Sequence, residues 1–200
     1  MINNLQNTNF QAKIIPSKKL YNAKALGDLI EQGKYVDSPW TLKESRFSPD
    51  ECFTEGAITC TTGFLKAKGG KEFYMFHLDP HCGENLIWGQ ISRGLAEVQE
   101  RLKADGKKVL EGFLLGASSS DEHSMEQAKN LIKFFKQTGV NFSALLGQKD
   151  QPLANLHYSL PKNEATITFD HCNELRKERD LNKSFSEVII GDDEFEFQRE

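Results

Sequence analysis

The 200-residue chain contains no apolar run longer than a few residues. A membrane-crossing helix needs about 20 consecutive, mostly apolar residues, so none is expected. The N-terminal stretch Met1-Ile-Asn-Asn-Leu-Gln-Asn-Thr-Asn-Phe10 lacks the basic segment and apolar run of a cleavable secretory signal. The expected location is the cytoplasm of the producing cell, or a host cell reached by export that needs no such signal. The chain also lacks any block of Lys or Arg, and its net charge is −4, so neither nucleic acid nor an anionic membrane is an expected partner. Cysteine is scarce: Cys52, Cys60, Cys82 and Cys172 are too few for a disulfide-stapled scaffold of this length, and all four read as thiols.

What remains is an ordinary globular composition, 38% hydrophobic and 27% charged, long enough for one domain with a real core. Ala57–Leu65 reads as a strand, Lys66–Lys71 as a turn and Glu72–Leu78 as the return strand of a hairpin. Then come a helix over Leu86–Asp105, a strand over Val109–Ala117, a helix over Met125–Thr138, and strands over Gly139–Leu146 and Glu164–Asp170. Leu131, Ile132, Phe134 and Phe135 are core by helical spacing, while Gly63 and Gly69-Gly70 are expected to serve turns. Strands alternating with helices make the fold α/β. Residues 48–170 form the core of a single domain, with 1–47 and 171–200 as extensions. The first extension holds an extended run, Phe10–Ile15, and a helix from Ala23 to Gln32; Trp40 sits in a polar connector. The second holds a charged helical stretch, Asn173–Lys183, and two short strands within Ser186–Gln198. Such extensions commonly complete a sheet edge; alternatively, Trp40 and the acidic tail help dock a protein substrate.

Thr54, Cys60 and His77 carry the chemistry. A thiol is the best protein nucleophile near neutral pH, but only as the thiolate, so it needs a base. With the hairpin tip between residues 68 and 69, Cys60 and His77 face each other across the ladder, within side-chain reach. Thr54, on the same face if the strand is regular, can accept the imidazole N–H and fix the tautomer. Asp79, two residues past His77, is the other candidate for that duty. Alone, each residue has a plain alternative: Cys as a small buried hydrophobe, His as a satisfied core group.

The pattern Thr54-x5-Cys60-x16-His77 resembles the cysteine deamidases of the CheD chemoreceptor family. It is also similar to the cytotoxic necrotizing factors and the Burkholderia lethal factor, in which a Gly-Gly turn and a His-hydrophobic-Asp follow, here Gly69-Gly70 and His77-Leu78-Asp79. The order of later strands and helices over roughly residues 48–170, with a strand ending in Gly-Ala-Ser, matches CheD as well. The chain departs at Ile58-Thr59 and Tyr74-Met-Phe76, where CheD proteins usually carry a Gly-Ser pair and glycines. The resemblance implies a layered sandwich of mixed, mostly antiparallel sheet with two main helices. It also implies a catalytic trio of Cys60, His77 and Thr54 that converts a glutamine of a protein substrate to glutamate. It implies no cofactor and no metal, in a monomer acting as a toxin or effector, or as a chemoreceptor-type regulator.

Rival readings exist. Cys60 and His77 could equally serve a cysteine protease or transglutaminase, or the chain could be an inactive interaction module. His77, His81, Cys82, His171 and Cys172 can be drawn into a zinc site, but only His77-x3-His81 has ligand spacing, so metal is not expected. The segment Gly116–Ser124 looks like a phosphate loop but lacks the glycine-lysine pattern; it reads as a helix cap from Asp121 or Ser124.

Overall fold

The computed structural model describes residues 12–16, 23–36, 46–81, 88–104, 106–107, 109–148, 153–170 and 188–189. In chain order the elements are β1 (Lys13–Pro16), α1 (Ala23–Glu31), β2 (Arg46–Ser48), β3 (Glu51–Ala57), β4 (Thr61–Ala67) and β5 (Phe73–Leu78). They continue with α2 (Trp88–Lys103), β6 (Leu110–Ser118), α3 (Glu122–Gln137), β7 (Val140–Gln148), β8 (Leu153–Ser159), β9 (Glu164–Asp170) and β10 (Val188–Ile189). One sheet has the order β1-β9-β8-β3, the other β10-β7-β6-β4-β5-β2. Among the described strands β1–β9 and β6–β7 pair in parallel and the other ladders are antiparallel; Tyr35 and Phe53 add an isolated parallel bridge. No helix among the described residues is long and apolar enough to cross a membrane.

Alternation along the strands builds two cores. One face of the six-stranded sheet presents Leu65, Tyr74, Phe76 and Leu114 to Ile91, Leu95, Val98 and Leu102 of α2 and to Ala128, Leu131, Ile132 and Phe135 of α3. The helical sets recur every three or four residues, which gives each helix one apolar stripe to bury. The opposite face presents Phe64, Phe73, Met75, Phe113 and Leu145 to Cys52, Leu156, Tyr158, Ala165 and Ile167 of the smaller sheet. The layers are therefore sheet, sheet, helices. The central strands β4 and β6 are covered on both faces and buried at every position. The sequence of β6 is accordingly a near-continuous apolar run, whereas β4 buries Thr61, Thr62 and Lys66 among its apolar residues.

Gly63 is not in a turn. It lies mid-strand in β4, where a Cβ would run into the Phe113 carbonyl oxygen and the Phe76 ring. Its role is close approach of neighbouring strands. The hairpin forms, but two residues out of the expected register: Thr62, not Cys60, pairs with His77, and Thr61 with Leu78. The turn explains the slip. Gly69 takes a positive φ of 66°, and Gly70 N–H closes on the Ala67 carbonyl at 2.9 Å, moving the tip one residue later. A two-residue slip keeps each side chain on its face.

The expected strand Ala57–Leu65 is two. The ladder between β3 and β8 shifts between Thr54 and Ala57 around Gly56, at φ +77°, and residues 58–60 bend, carrying the chain from the smaller sheet into the larger. β9 has the expected bounds, and β6, β7, α2 and α3 fall within three residues of theirs. β2 and β8 have no counterpart among the expected strands, and Thr54 lies on a strand of its own, β3, not on the one that leads from Cys60. In the N-terminal extension β1 lies parallel to β9, and Ala12 and Val36 are buried in the inter-sheet core. In the other, Val188–Ile189 pairs with β7 and extends the larger sheet; the expected 173–183 helix and the other tail strand lie outside the described residues, as does Trp40.

Candidate active site

β5 sends Phe73 and Met75 into the inter-sheet core, so His77, two residues further on, turns the same way; it is fully buried. β3 faces it from the other sheet. Cys52 and Ala57 point into the same core, and between them Thr54 is fully buried too. Thr54 Oγ1 lies 2.7 Å from His77 Nδ1. This hydrogen bond joins the two sheets, whereas the sequence suggested a contact from the beginning of the strand that bears the thiol. The other candidate partner is engaged elsewhere: the Asp79 carboxylate accepts His81 N–H at 2.8 Å.

Cys60 precedes β4 by one residue and belongs to the inter-sheet core with Phe64. It is not directly opposite His77 as expected. Thr62 holds that place, and its hydroxyl donates to the Phe76 carbonyl at 2.7 Å. Cys60 lies two residues before Thr62, in the bend that leads into the ladder. The site thus draws on β3, on β5 and on the crossover between β3 and β4. Cys52, the other described thiol, is a contrast: burial pushes it up to about 11, so it is not a thiolate near neutral pH.

The backbone on both sides of Cys60 is held by the β6–α3 connection. Its carbonyl accepts Ala117 N–H at 2.8 Å, and Ala117 has φ of +56°, a left-handed conformation rare outside glycine. The carbonyl of Thr59 accepts the Ser124 hydroxyl at 2.5 Å, and that hydroxyl accepts Ser118 N–H at 2.8 Å. Asp121 is the N-cap of α3, taking Ser124 N–H at 2.7 Å, which places the 116–124 segment as a cap rather than a phosphate cradle. Asp121 also pairs with His81 at 2.9 Å. Burial raises its carboxyl, and the Ser124 N–H with His81 outweighs this, leaving it below the usual carboxylate range.

The zinc grouping is not assembled in the described part of the chain. His77 meets Thr54, His81 meets Asp121 and stacks edge-on to His123 at 5.7 Å, and no three potential ligands converge among the described residues. Cys82, His171 and Cys172 lie outside them. Sequence reasoning missed the reach of Ser124 to Thr59, because nothing in spacing announces a contact across 65 residues.

No protein-family model matches the chain, and no curated protein matches it in sequence.

Proposed function

We propose that the protein is a cysteine-dependent glutamine deamidase with Cys60 as nucleophile, His77 as base and Thr54 as the group that orients it. The observation that supports this reading most is the buried 2.7 Å contact between Thr54 Oγ1 and His77 Nδ1. With the Nδ1 proton directed to the Thr54 oxygen, Nε2 is left as the basic nitrogen, the tautomer a general base requires. A hydroxyl stabilises imidazolium less than a carboxylate does, but a thiol is far more acidic than a serine hydroxyl and asks less of its base.

In the reaction, the Cys60 thiol gives its proton to His77, and the thiolate adds to the side-chain amide carbon of a glutamine. The tetrahedral oxyanion collapses, His77 returns the proton to the leaving nitrogen, and ammonia departs. Water then cleaves the thioester, leaving glutamate and the regenerated thiol. No cofactor enters, and the substrate is a protein presenting a glutamine. An effector acting in another cell is our reading in preference to a chemoreceptor-type regulator. The same groups would serve a protease or a transglutaminase, so the test must read the product. Candidate proteins incubated with the enzyme should release ammonia and gain one mass unit at a glutamine, and Cys60→Ala should abolish both. Peptide-bond cleavage, or a glutamyl-lysine crosslink, would replace deamidation with the rival chemistry. A Cys60 that resists alkylation in the folded protein would replace it with the inactive module.

A further inference from the structure

Two peptide planes flank Cys60, and each is fixed by a different group of the β6–α3 connection. The Cys60 carbonyl receives Ala117 N–H at 2.8 Å. The Thr59 carbonyl receives the Ser124 hydroxyl at 2.5 Å. Ser124 is fully buried and has one rotatable side-chain bond, and its own backbone is held in the first turn of α3 by Asp121 at 2.7 Å. Its oxygen is aligned further by Ser118 N–H at 2.8 Å. The donor is therefore rigid and saturated, and its proton has one acceptor.

A trans peptide is planar, with C=O and N–H pointing in opposite directions. Holding the Thr59 oxygen against α3 thus dictates where the Cys60 N–H points: away from α3. In thiol acyl transfer, the backbone N–H of the nucleophile is the natural donor to the oxyanion that develops when the thiolate adds to a carbonyl. Building on the deamidase reading above, we propose that Ser124 is a positioning residue that aims the Cys60 N–H at this oxyanion by clamping the Thr59–Cys60 peptide. Ser124 touches neither substrate nor sulfur. It acts on charge that exists only in the transition state, so its removal lowers acyl transfer without lowering the nucleophilicity of the thiol.

Two small electrophiles separate these effects without a known protein substrate. Iodoacetamide alkylates a thiolate by displacement at a saturated carbon and forms no oxyanion. p-Nitrophenyl acetate acylates it through a tetrahedral oxyanion: the S–C bond forms, the C–O bond breaks, p-nitrophenolate leaves, and the thiol proton passes to His77. In the full-length protein, Ser124→Ala should slow the Cys60-dependent nitrophenolate burst by about 10- to 100-fold, below the loss for deleting an oxyanion donor outright. Its rate and pH profile of Cys60 alkylation should stay within about twofold of the parent, because the His77 partnership is intact. Ser124→Thr keeps the hydroxyl and should restore the burst. Ser124→Cys keeps the volume with a weaker donor and should fall between, which provides the test if the alanine variant does not fold. A burst unchanged in Ser124→Ala overturns the proposal, as does a parallel fall of burst and alkylation. Absence of any Cys60-dependent burst or preferential alkylation in the parent protein would instead remove the deamidase reading beneath it.

Discussion

The space between the sheets is polar at two places along β4, and the two are built differently. Near its start, Thr54 meets His77 in a contact between two groups that can both be neutral. Four residues beyond Thr62, about 13 Å along a strand, Lys66 Nζ lies 2.5 Å from Glu111 Oε2, their side chains 6% and 0% exposed. Tyr158 is close by: burial, and then the Glu111 charge, push its phenol up beyond its usual range. Its hydroxyl donates to Asn163 at 2.9 Å. A buried ion pair holds both charges in place and contributes little net stability over apolar residues of similar volume, but it punishes the loss of one partner. A neutral imidazole can take up a proton from a thiol, and the thiolate left behind balances the charge it gains. The ion pair suits a fixed support and the neutral pair a reaction such as the one proposed above, so position in the same core does not decide role. Protonation freedom does.

The sharpest way to break this contrast is at the thiol. Cys60→Ala should reduce acyl transfer by about 10⁴-fold or more, as removal of a nucleophile does elsewhere, with little change in stability. The converse holds at the ion pair. Glu111→Leu leaves Lys66 buried without a counter-charge and should cost about 3–5 kcal/mol in denaturant unfolding, while the double change Lys66→Met with Glu111→Leu should be near neutral. If the single and double variants unfold alike, Lys66 and Glu111 are not a coupled buried ion pair. Next in size is Thr54→Val, which should slow turnover by about tenfold to a few hundredfold with KM nearly unchanged, while Asp79→Asn leaves the rate intact. Equal losses in both would restore Asp79 as the orienting group.

A smaller effect separates the two described thiols. Cys60 should react with iodoacetamide near pH 7 well ahead of Cys52, whose burial raises it to about 11. His77→Ala should remove the lead. The least effect concerns His157 on β8, where burial lowers the imidazole and Glu51 at 3.2 Å only partly offsets it. The unfolded chain takes up the proton that the folded one resists, so this contribution is present above the ordinary imidazole range and is lost as pH falls below it. His157→Gln should flatten the decline in stability as pH falls below about 6.5. An unchanged slope would assign the decline to other groups.

The helices and the core strands were legible because their periodicities are strong. Ile91, Leu95, Val98 and Leu102 keep helical spacing, and the dense apolar run of β6 fits a central strand only. β8 carries a legible period, Ala154, Leu156 and Tyr158 alternating with Asn155 and His157, but the run is short. β3 was obscured by Gly56 and the shifted register, which break the period where Thr54 resides. The residue types of the candidate site were visible from their spacing. Their meeting was not, because Thr54 reaches His77 across the sandwich and not along a hairpin, and hairpin arithmetic from turn residues erred by a two-residue slip.

The bend at residues 58–60 is one of the covalent links between the two sheets, and the thiol sits on it. One partner of the histidine is in one layer and the histidine is in the other. The three groups consequently form a gauge of how tightly the layers are closed. A change that lets one sheet slide or tilt over the other, even far from residue 60, would misalign the trio while each sheet kept its own ladders intact. On the deamidase reading, inactivation would then run ahead of unfolding, and a ligand that wedges the layers apart would silence the protein without touching the sulfur.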